Sequence, residues 1–357
     1  MRIIVVTFHK AYSYGACLQA YATWKFFESK GMECLFLDYE NNYEARIRNG
    51  KWLKYENTKG KIKLLIKKII FGYGKYCKRA FGEFHSILPC IPMNEINADD
   101  ILAVGSDQTW SIKICNGLDP VFLLEPFADN HKVSLASSAG DTVFTQEQLD
   151  VIIPLLNQFE RLSVREECLR QQIIGKIKQP VEIILDPSLW LSRSFWINQI
   201  AQVPPVKTNY ILDFVFGNTA MKSSTEIIKK YSKQLNAPVY RIMLNSYKPK
   251  YADKVIKGAT PFEFLRLIYD AKLVITNSFH GVAFSINLNV PFVFLPVNNG
   301  NNQRMTELLS KLGLENRIVL DAKSLVPFAI NYSDTNMKLE KERNHTLKWL
   351  ENSVLGM

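Results

Sequence analysis

AKLVITNSFHGVAFSINLNVPFVFLP, residues 271–296, is the stretch whose reading decides the fold. Leu273 to Thr276 reads as a buried strand rich in β-branched residues, and the polar segment Asn277-Ser278-Phe279-His280-Gly281 interrupts it. A short helix follows, and a second strand opens at Val290-Pro291. The apolar runs are too short to span a membrane. In open α/β sheets, ligands bind at the carboxyl edge of such strands. His280 stands at that edge, with a side chain able to donate or accept a proton near neutral pH. The helix start near Gly281 offers N–H groups and a positive dipole end to a phosphate or carboxylate, with Asn277 and Ser278 beside it. The plainer reading of His280 is a buried imidazole satisfied by backbone carbonyls at a loop.

Outward from this stretch, strand-like and helix-like segments alternate almost throughout. Ile3 to Thr7, Glu33 to Asp38, Ile101 to Val104, Lys132 to Ala136 and Val181 to Leu185 read as strands between amphipathic helices. The pattern breaks at SRSFWINQIAQVPPVKTN, around 192–208, and resumes at Tyr210 to Phe216 and Pro238 to Met243. Alternation of this kind predicts mostly parallel sheets covered on both faces. The expected fold is α/β: two Rossmann-like domains facing a cleft, a glycosyltransferase-B-like architecture, with a C-terminal helix packing back on the first domain. The expected boundaries are 1–200 for the first domain, 205–335 for the second and 336–357 for the terminal helix. A basic insertion interrupts the first domain at about 46–92.

A chain of 357 residues exceeds the size at which one core stops growing, which also predicts two domains. Hydrophobic residues make up 47% and charged residues 22%, the balance of an ordinary globular protein. The N-terminal apolar run, Ile3 to Val6, is too short for a signal-peptide core, so the expected location is cytoplasmic. Six cysteines occur without a CxxC pair and read as reduced thiols. The net charge of +10 concentrates between 46 and 79, where Glu56 is the only acid. Ile62, Leu64, Leu65, Ile66, Ile69, Ile70 and Phe71 give that segment an apolar face. It fits either peripheral docking on an anionic membrane, at the inner face of the cell membrane, or a solvated helix packed on the protein's core. No nucleic-acid motif accompanies it, so a nucleic-acid partner is not expected. The fingerprints GxGxxG, GxxxxGK[ST] and HExxH are all absent, which removes support for NAD enzymes, P-loop kinases and a bound metal.

Four further segments stand at strand ends. Tyr14-Gly15-Ala16-Cys17-Leu18-Gln19 follows the first strand, and Gly15 permits close backbone approach at a helix start. Ser106-Asp107-Gln108-Thr109-Trp110 places a carboxylate, an amide and an indole side by side, a set suited to sugar hydroxyls and a sugar ring face; its plainer reading is an Asx-turn. Ala136-Ser137-Ser138-Ala139-Gly140 is a small-residue loop open to a ligand. Arg165 emerges as a strand ends, placed either to grip an anion bidentately or to pair with Glu166 or Glu167.

Taken in order, YGACLQAYA (14–22), VGSDQTW (104–110), LASSAG (135–140), LSVREE (162–167), LDPSLWL (185–191) and TNSFHGVAFSINLNVPFV (276–293) resemble the polysaccharide pyruvyl transferase family. The resemblance covers the chain apart from the basic insertion and the tail. It implies transfer of pyruvate from phosphoenolpyruvate onto a saccharide acceptor, lipid-linked in one version, closing a cyclic ketal across two hydroxyls. The product belongs to capsule, exopolysaccharide or cell-wall glycan synthesis, and no cofactor beyond the donor substrate is implied. In that reading Arg165 and the helix mouth at Gly281 hold the donor's anionic groups, and His280 protonates its methylene carbon. Asp107 orients or deprotonates the acceptor, and Gly15, Gln19, Ser106, Gln108, Trp110, Ser138, Asn277 and Ser278 line the substrate. The chain departs from the pattern at Ser278, where members often carry an arginine. Either Arg304, in the loop Asn298 to Arg304, replaces that cation, or this subgroup uses a different donor. A nucleotide-sugar glycosyltransferase and a catalytically silent glycan-binding relative are the competing readings of the same scaffold.

Overall fold

Strand positions follow directly from the apolar runs. Arg2–Val6 (β1) buries Ile3, Ile4 and Val5 completely, and Ile101–Val104 (β4) is buried at every position. Each such side chain contributes on the order of 1.5–3 kcal/mol by leaving water. The structure is a computed structural model that describes residues 2–41, 73–206, 209–216, 221–244, 248–297 and 302–357. The chain divides into two compact units, one of Met1–Ile47, His85–Leu191 and Lys338–Met357, the other of Arg48–Phe84 and Ser192–Met337.

The first unit holds β1, Glu33–Leu37 (β2), Cys90–Ile91 (β3), β4 and His131–Ser134 (β5) in the order β3-β2-β1-β4-β5. All neighbours run parallel, with Ile4 opposite Leu35 on one side and Leu102 on the other. Leu162–Val164 (β6) and Val181–Ile183 (β7) form a parallel pair that continues from β5 through the bridges Val133–Arg161 and Ser137–Val164. The second unit holds Ile211–Phe214 (β8), Val239–Met243 (β9), Lys254–Lys257 (β10), Leu273–Thr276 (β11) and Phe292–Phe294 (β12) in the order β10-β9-β8-β11-β12, again all parallel. The expected α/β fold with parallel sheets in two domains is therefore present. Both sheets share one layout: the first strand lies in the middle and the order reverses beside it, between β1 and β4 and between β8 and β11. Crevices at such reversal points are where ligands bind in doubly wound folds.

Local chemistry fixes the helix starts. Thr145 and Gln148 form a reciprocal capping box ahead of Gln146–Leu156, and Thr260 and Glu263 do the same ahead of Pro261–Tyr269. The last residues return to the first unit. There the Thr346 hydroxyl accepts from Leu185 N–H at 3.0 Å, Arg343 Nε donates to the Leu189 carbonyl at 2.8 Å, and Lys30 pairs with Glu351 at 2.6 Å.

Most of the basic segment lies outside the described residues, including Lys61, Lys63, Lys67 and Lys68. Its described end forms the helix Tyr73–Ile87, whose buried Cys77, Ala80, Phe81 and Phe84 fall at helical spacing while Lys75, Lys78 and Arg79 are exposed. Phe84 packs edge-on against Phe262, 5.4 Å between centroids. This part behaves as a solvated helix with its apolar stripe on the protein. Among the described residues no helix is long and apolar enough to cross a membrane.

Candidate functional site

In the first unit the reversal point is stitched by buried polar groups. The Thr7 hydroxyl, just past β1, donates to the Ser106 carbonyl at 3.3 Å, and Gln19 Nε2 donates to Thr7 Oγ1 at 2.9 Å and to the Ala16 carbonyl at 3.1 Å. Gln19 is fully buried, so the residue expected to touch substrate instead fixes the exit of β1. Gly15 lies buried in the first turn of the helix Tyr14–Ser29, which Ser13 caps by accepting from Ala16 N–H. His9 is also buried, its Nδ1 3.1 Å from the Thr7 carbonyl. Burial pushes its pKa down to about 4, although the Thr7 carbonyl favours the protonated ring.

The loops after β4 and β5 are tied to each other. Asp107 and Ala136 both take left-handed backbone angles, φ 58° and 51°. Ser138 N–H donates to the Asp107 carbonyl at 3.2 Å, and Trp110 N–H donates to the Ser138 carbonyl at 3.0 Å. A left-handed residue with a side chain is uncommon and gathers at functional sites, because surrounding contacts must hold it there. Gln108 lies over Gly140, whose own φ of 64° is left-handed and favours glycine. Asp107 and Gln108 are the half-exposed members of the segment. Trp110 is not: it is buried, its indole N–H donates to the Phe122 carbonyl at 2.9 Å, and its ring meets Phe159 edge-on. The expected sugar-stacking face is therefore part of the core, because the indole N–H found its partner inside.

Arg165 also has a different task from the one expected. Its Nη1 donates to Asp186 Oδ2 at 2.6 Å and its Nε to Glu166 Oε1 at 3.1 Å, with the three side chains 4%, 0% and 1% exposed. Burial opposes its charge, yet the Glu166, Asp186 and Asp107 carboxylates outweigh burial and hold the guanidinium above its ordinary pKa. Paired with two buried carboxylates, this cation is the pin of a network. Ser106 Oγ lies 2.9 Å from Asp186 Oδ2 and 3.0 Å from the Ala136 carbonyl. Ser138 Oγ donates to Glu166 and accepts from Gly140 N–H at 3.1 Å. The structure thus brings Ser106, Asp107, Gln108, Ser138 and Arg165 together at one carboxyl edge, with Asp107 and Gln108 half-exposed.

In the second unit, Asn277, Ser278, His280 and Gly281 follow β11. Ser278 caps the helix Phe279–Asn287, its hydroxyl accepting from Gly281 N–H at 3.4 Å. The Gly281 N–H, expected to bind an anion, is thereby engaged by the residue three positions before it. Glycine is required at 281 for another reason: a Cβ there would meet Thr276 Oγ1 at 2.6 Å and Phe214 Cδ1 at 3.2 Å. Thr276 Oγ1 in turn donates to the Phe214 carbonyl at 2.7 Å and accepts from Ser278 N–H at 3.0 Å. His280 sits in the first helical turn, 8% exposed, edge-on to Phe279. Asn277 clamps the exit of β8, with Oδ1 accepting from Phe216 N–H at 2.9 Å and Nδ2 donating to the Phe216 carbonyl at 2.7 Å. Arg304 is the second residue of the helix Gln303–Leu312. Residues 298–301, the rest of its expected loop, lie outside the described residues; Asn302 bonds both polar groups of Val297 at 2.9 and 2.8 Å.

Sequence reading missed a buried network beneath this edge. Asp213 in β8 pairs with Arg241 in β9, Tyr251 donates to Asp213 Oδ2 at 2.9 Å, and Arg241 Nη2 donates to the Val215 carbonyl at 2.9 Å. Burial raises the Asp213 carboxyl above the usual carboxylate range, while Arg241 and Tyr251 pull the other way. The available signal was one charge inside each of two apolar strands, YILDFVF and PVYRIML. Among the described residues no group of three or more His, Cys, Asp or Glu side chains could hold a metal ion.

Two parallel sheets, each carrying polar side chains at its carboxyl edge, define a doubly wound α/β protein. A model of the polysaccharide pyruvyl transferase family matches residues 14–299, and the chain belongs to that family. A search of curated proteins finds no match. Among solved structures the chain is similar to Methanocaldococcus jannaschii UDP-GlcNAc 2-epimerase in complex with UDP-GlcNAc and UDP, at 12% identity and TM-score 0.49, over 94% of this chain and 97% of that one. It is also similar to spinosyn rhamnosyltransferase SpnG (11% identity, TM-score 0.41, over 100% and 97%). A third is the E. coli ADP-heptose LPS heptosyltransferase II (13% identity, TM-score 0.37, over 98% and 100%).

Proposed function

We propose that the protein transfers the pyruvyl group of phosphoenolpyruvate to a saccharide, closing a cyclic ketal across two of its hydroxyls. The observation that carries this reading is the family match over residues 14–299. In this reading His280 delivers a proton to the methylene carbon of the donor, which becomes a methyl group and leaves C2 electrophilic. A saccharide hydroxyl adds to C2 and gives up its proton. The bond from C2 to the phosphate oxygen breaks, and phosphate leaves with the electron pair. The second hydroxyl then closes the ring at C2. Of the two hydroxyl protons, one replaces the proton delivered to the methyl group and the other leaves with phosphate or solvent. Arg304 is the cation assigned to the donor's phosphate, since Arg165 is engaged by Asp186 and Glu166.

The test is a reaction of the purified protein with phosphoenolpyruvate and a panel of glycan acceptors. Released phosphate is measured together with the ketal methyl signal by proton NMR. His280→Gln should slow turnover by about 10²- to 10⁴-fold, the usual contribution of a positioned proton donor. Unchanged turnover in that variant removes His280 from the mechanism. Release of UDP from UDP-sugars, with phosphoenolpyruvate left intact, overturns the reading in favour of glycosyl transfer.

A further inference from the structure

Phe216 is 53% exposed, the one phenylalanine or tryptophan among the large hydrophobic side chains left exposed in the described residues. A lone exposed apolar side chain needs no explanation, but three features set this one apart. It lies two residues past the end of β8, at the reversal point between β8 and β11. Its backbone is held from both flanking strands: Arg241, from β9, bonds the Val215 carbonyl, and Asn277, after β11, takes both polar groups of Phe216 itself. Its ring stands edge-to-face with Phe214, centroids 4.6 Å apart at 76°, which limits how it can turn. A buried ion pair and a side-chain amide are thus committed to holding a half-exposed ring at the sheet's ligand-binding edge.

We infer that Phe216 is a stacking platform for the C–H face of a pyranose ring, and that Asn277 is the positioning residue that sets it. An aromatic ring with one end packed and one face wet suits a ligand that is apolar on its face and polar on its rim, as a pyranose is. The inference rests on the reading of the chain as a saccharide-modifying enzyme, whose acceptor offers such a face. It gives Asn277 a role through Phe216 rather than through direct contact with the donor.

The experiment places 4-fluorophenylalanine at position 216 of the full chain and follows its fluorine resonance. The probes are methyl β-D-glucopyranoside, methyl β-D-galactopyranoside and UDP. A saturable shift with at least one glycoside, and none with UDP, is expected. In turnover assays Phe216→Ala should raise the acceptor KM about tenfold, the order of one lost aromatic contact, with kcat and the phosphoenolpyruvate KM unchanged. Phe216→Trp should keep the wild-type KM. Asn277→Ala should raise the same KM, and adding Phe216→Ala to it should have no further effect, a coupling that a merely structural asparagine would not produce. A fluorine signal silent to both glycosides, or one that moves with UDP alone, overturns the inference. The titration needs no donor, so a glycoside shift without phosphate release refutes pyruvyl transfer and leaves the platform standing. Phosphate release with a silent ring does the reverse.

Discussion

Arg165→Ala separates the two tasks open to that residue. As an anion site, its loss should weaken donor binding and leave the fold intact. The structure says otherwise, because truncation strands Asp186 and Glu166, 0% and 1% exposed, with no guanidinium between them. Removing one partner of a buried ion pair costs about 3–5 kcal/mol. At about 2–4 °C per kcal/mol for a unit of this size, the melting temperature should fall by about 6–20 °C. Differential scanning fluorimetry of Arg165→Ala beside Arg165→Ala/Asp186→Asn measures this. The double variant should recover part of the loss, since one uncompensated carboxylate is gone. Soluble Arg165→Ala melting within about 2 °C of wild type, yet unable to bind phosphoenolpyruvate in a calorimetric titration, would refute the structural assignment.

Three other outcomes follow from the geometry. The His9 imidazole is held near 4 against an ordinary 6.5, so the unfolded chain binds more protons between those values and stability falls as pH drops through that window, by about 3 kcal/mol in full; urea midpoints at pH 7 and pH 4.5 should show this, and an equal loss in His9→Gln sinks the assignment. Gly281→Ala would ordinarily favour a helix, but its methyl would stand 2.6 Å from Thr276 Oγ1, so a destabilisation of about 1–3 kcal/mol is expected and an unchanged melting curve contradicts the packing. Lys132, 1% exposed and bonded to the neutral Gln158 Oε1 at 2.7 Å, has its pKa lowered by burial, so wild-type stability should climb as pH rises toward 10.5; Lys132→Met should gain about 1 kcal/mol at neutral pH and lose that climb, and a less stable variant refutes the reading.

The central strands were legible because burial on both faces leaves a continuous apolar run, as in β1, β4, β8 and β11. β3, two residues long, and β10, with the exposed pattern of KVIK, carry no such run and were missed. At the candidate site, the sequence located the carboxyl-edge segments but not the partners within them. Glu166 is one of the two neighbours considered for Arg165, but Asp186, twenty-one residues on, completes the network, and Glu167 pairs with Arg170. Trp110 read as a surface indole because its neighbours are polar, and nothing local announces the Phe122 carbonyl that draws it inward. Ser278 was noted for the arginine it replaces. Its hydroxyl caps the helix, a role available to any serine at that position.

The final twenty residues, Lys338–Met357, belong to the unit that the chain begins rather than to the one it has just built. Leu350 and Val354 are fully buried, and Thr346 and Arg343 satisfy backbone groups of Leu185 and Leu189. During synthesis most of this unit therefore emerges before residues 192–337, yet it is completed only after them. Until residues 338–357 have left the ribosome, the apolar surface that receives Leu350 and Val354 stays open, a window in which nascent chains associate wrongly. The order of completion runs against the order of translation, and a stop codon near position 338 would cripple the half of the protein encoded first.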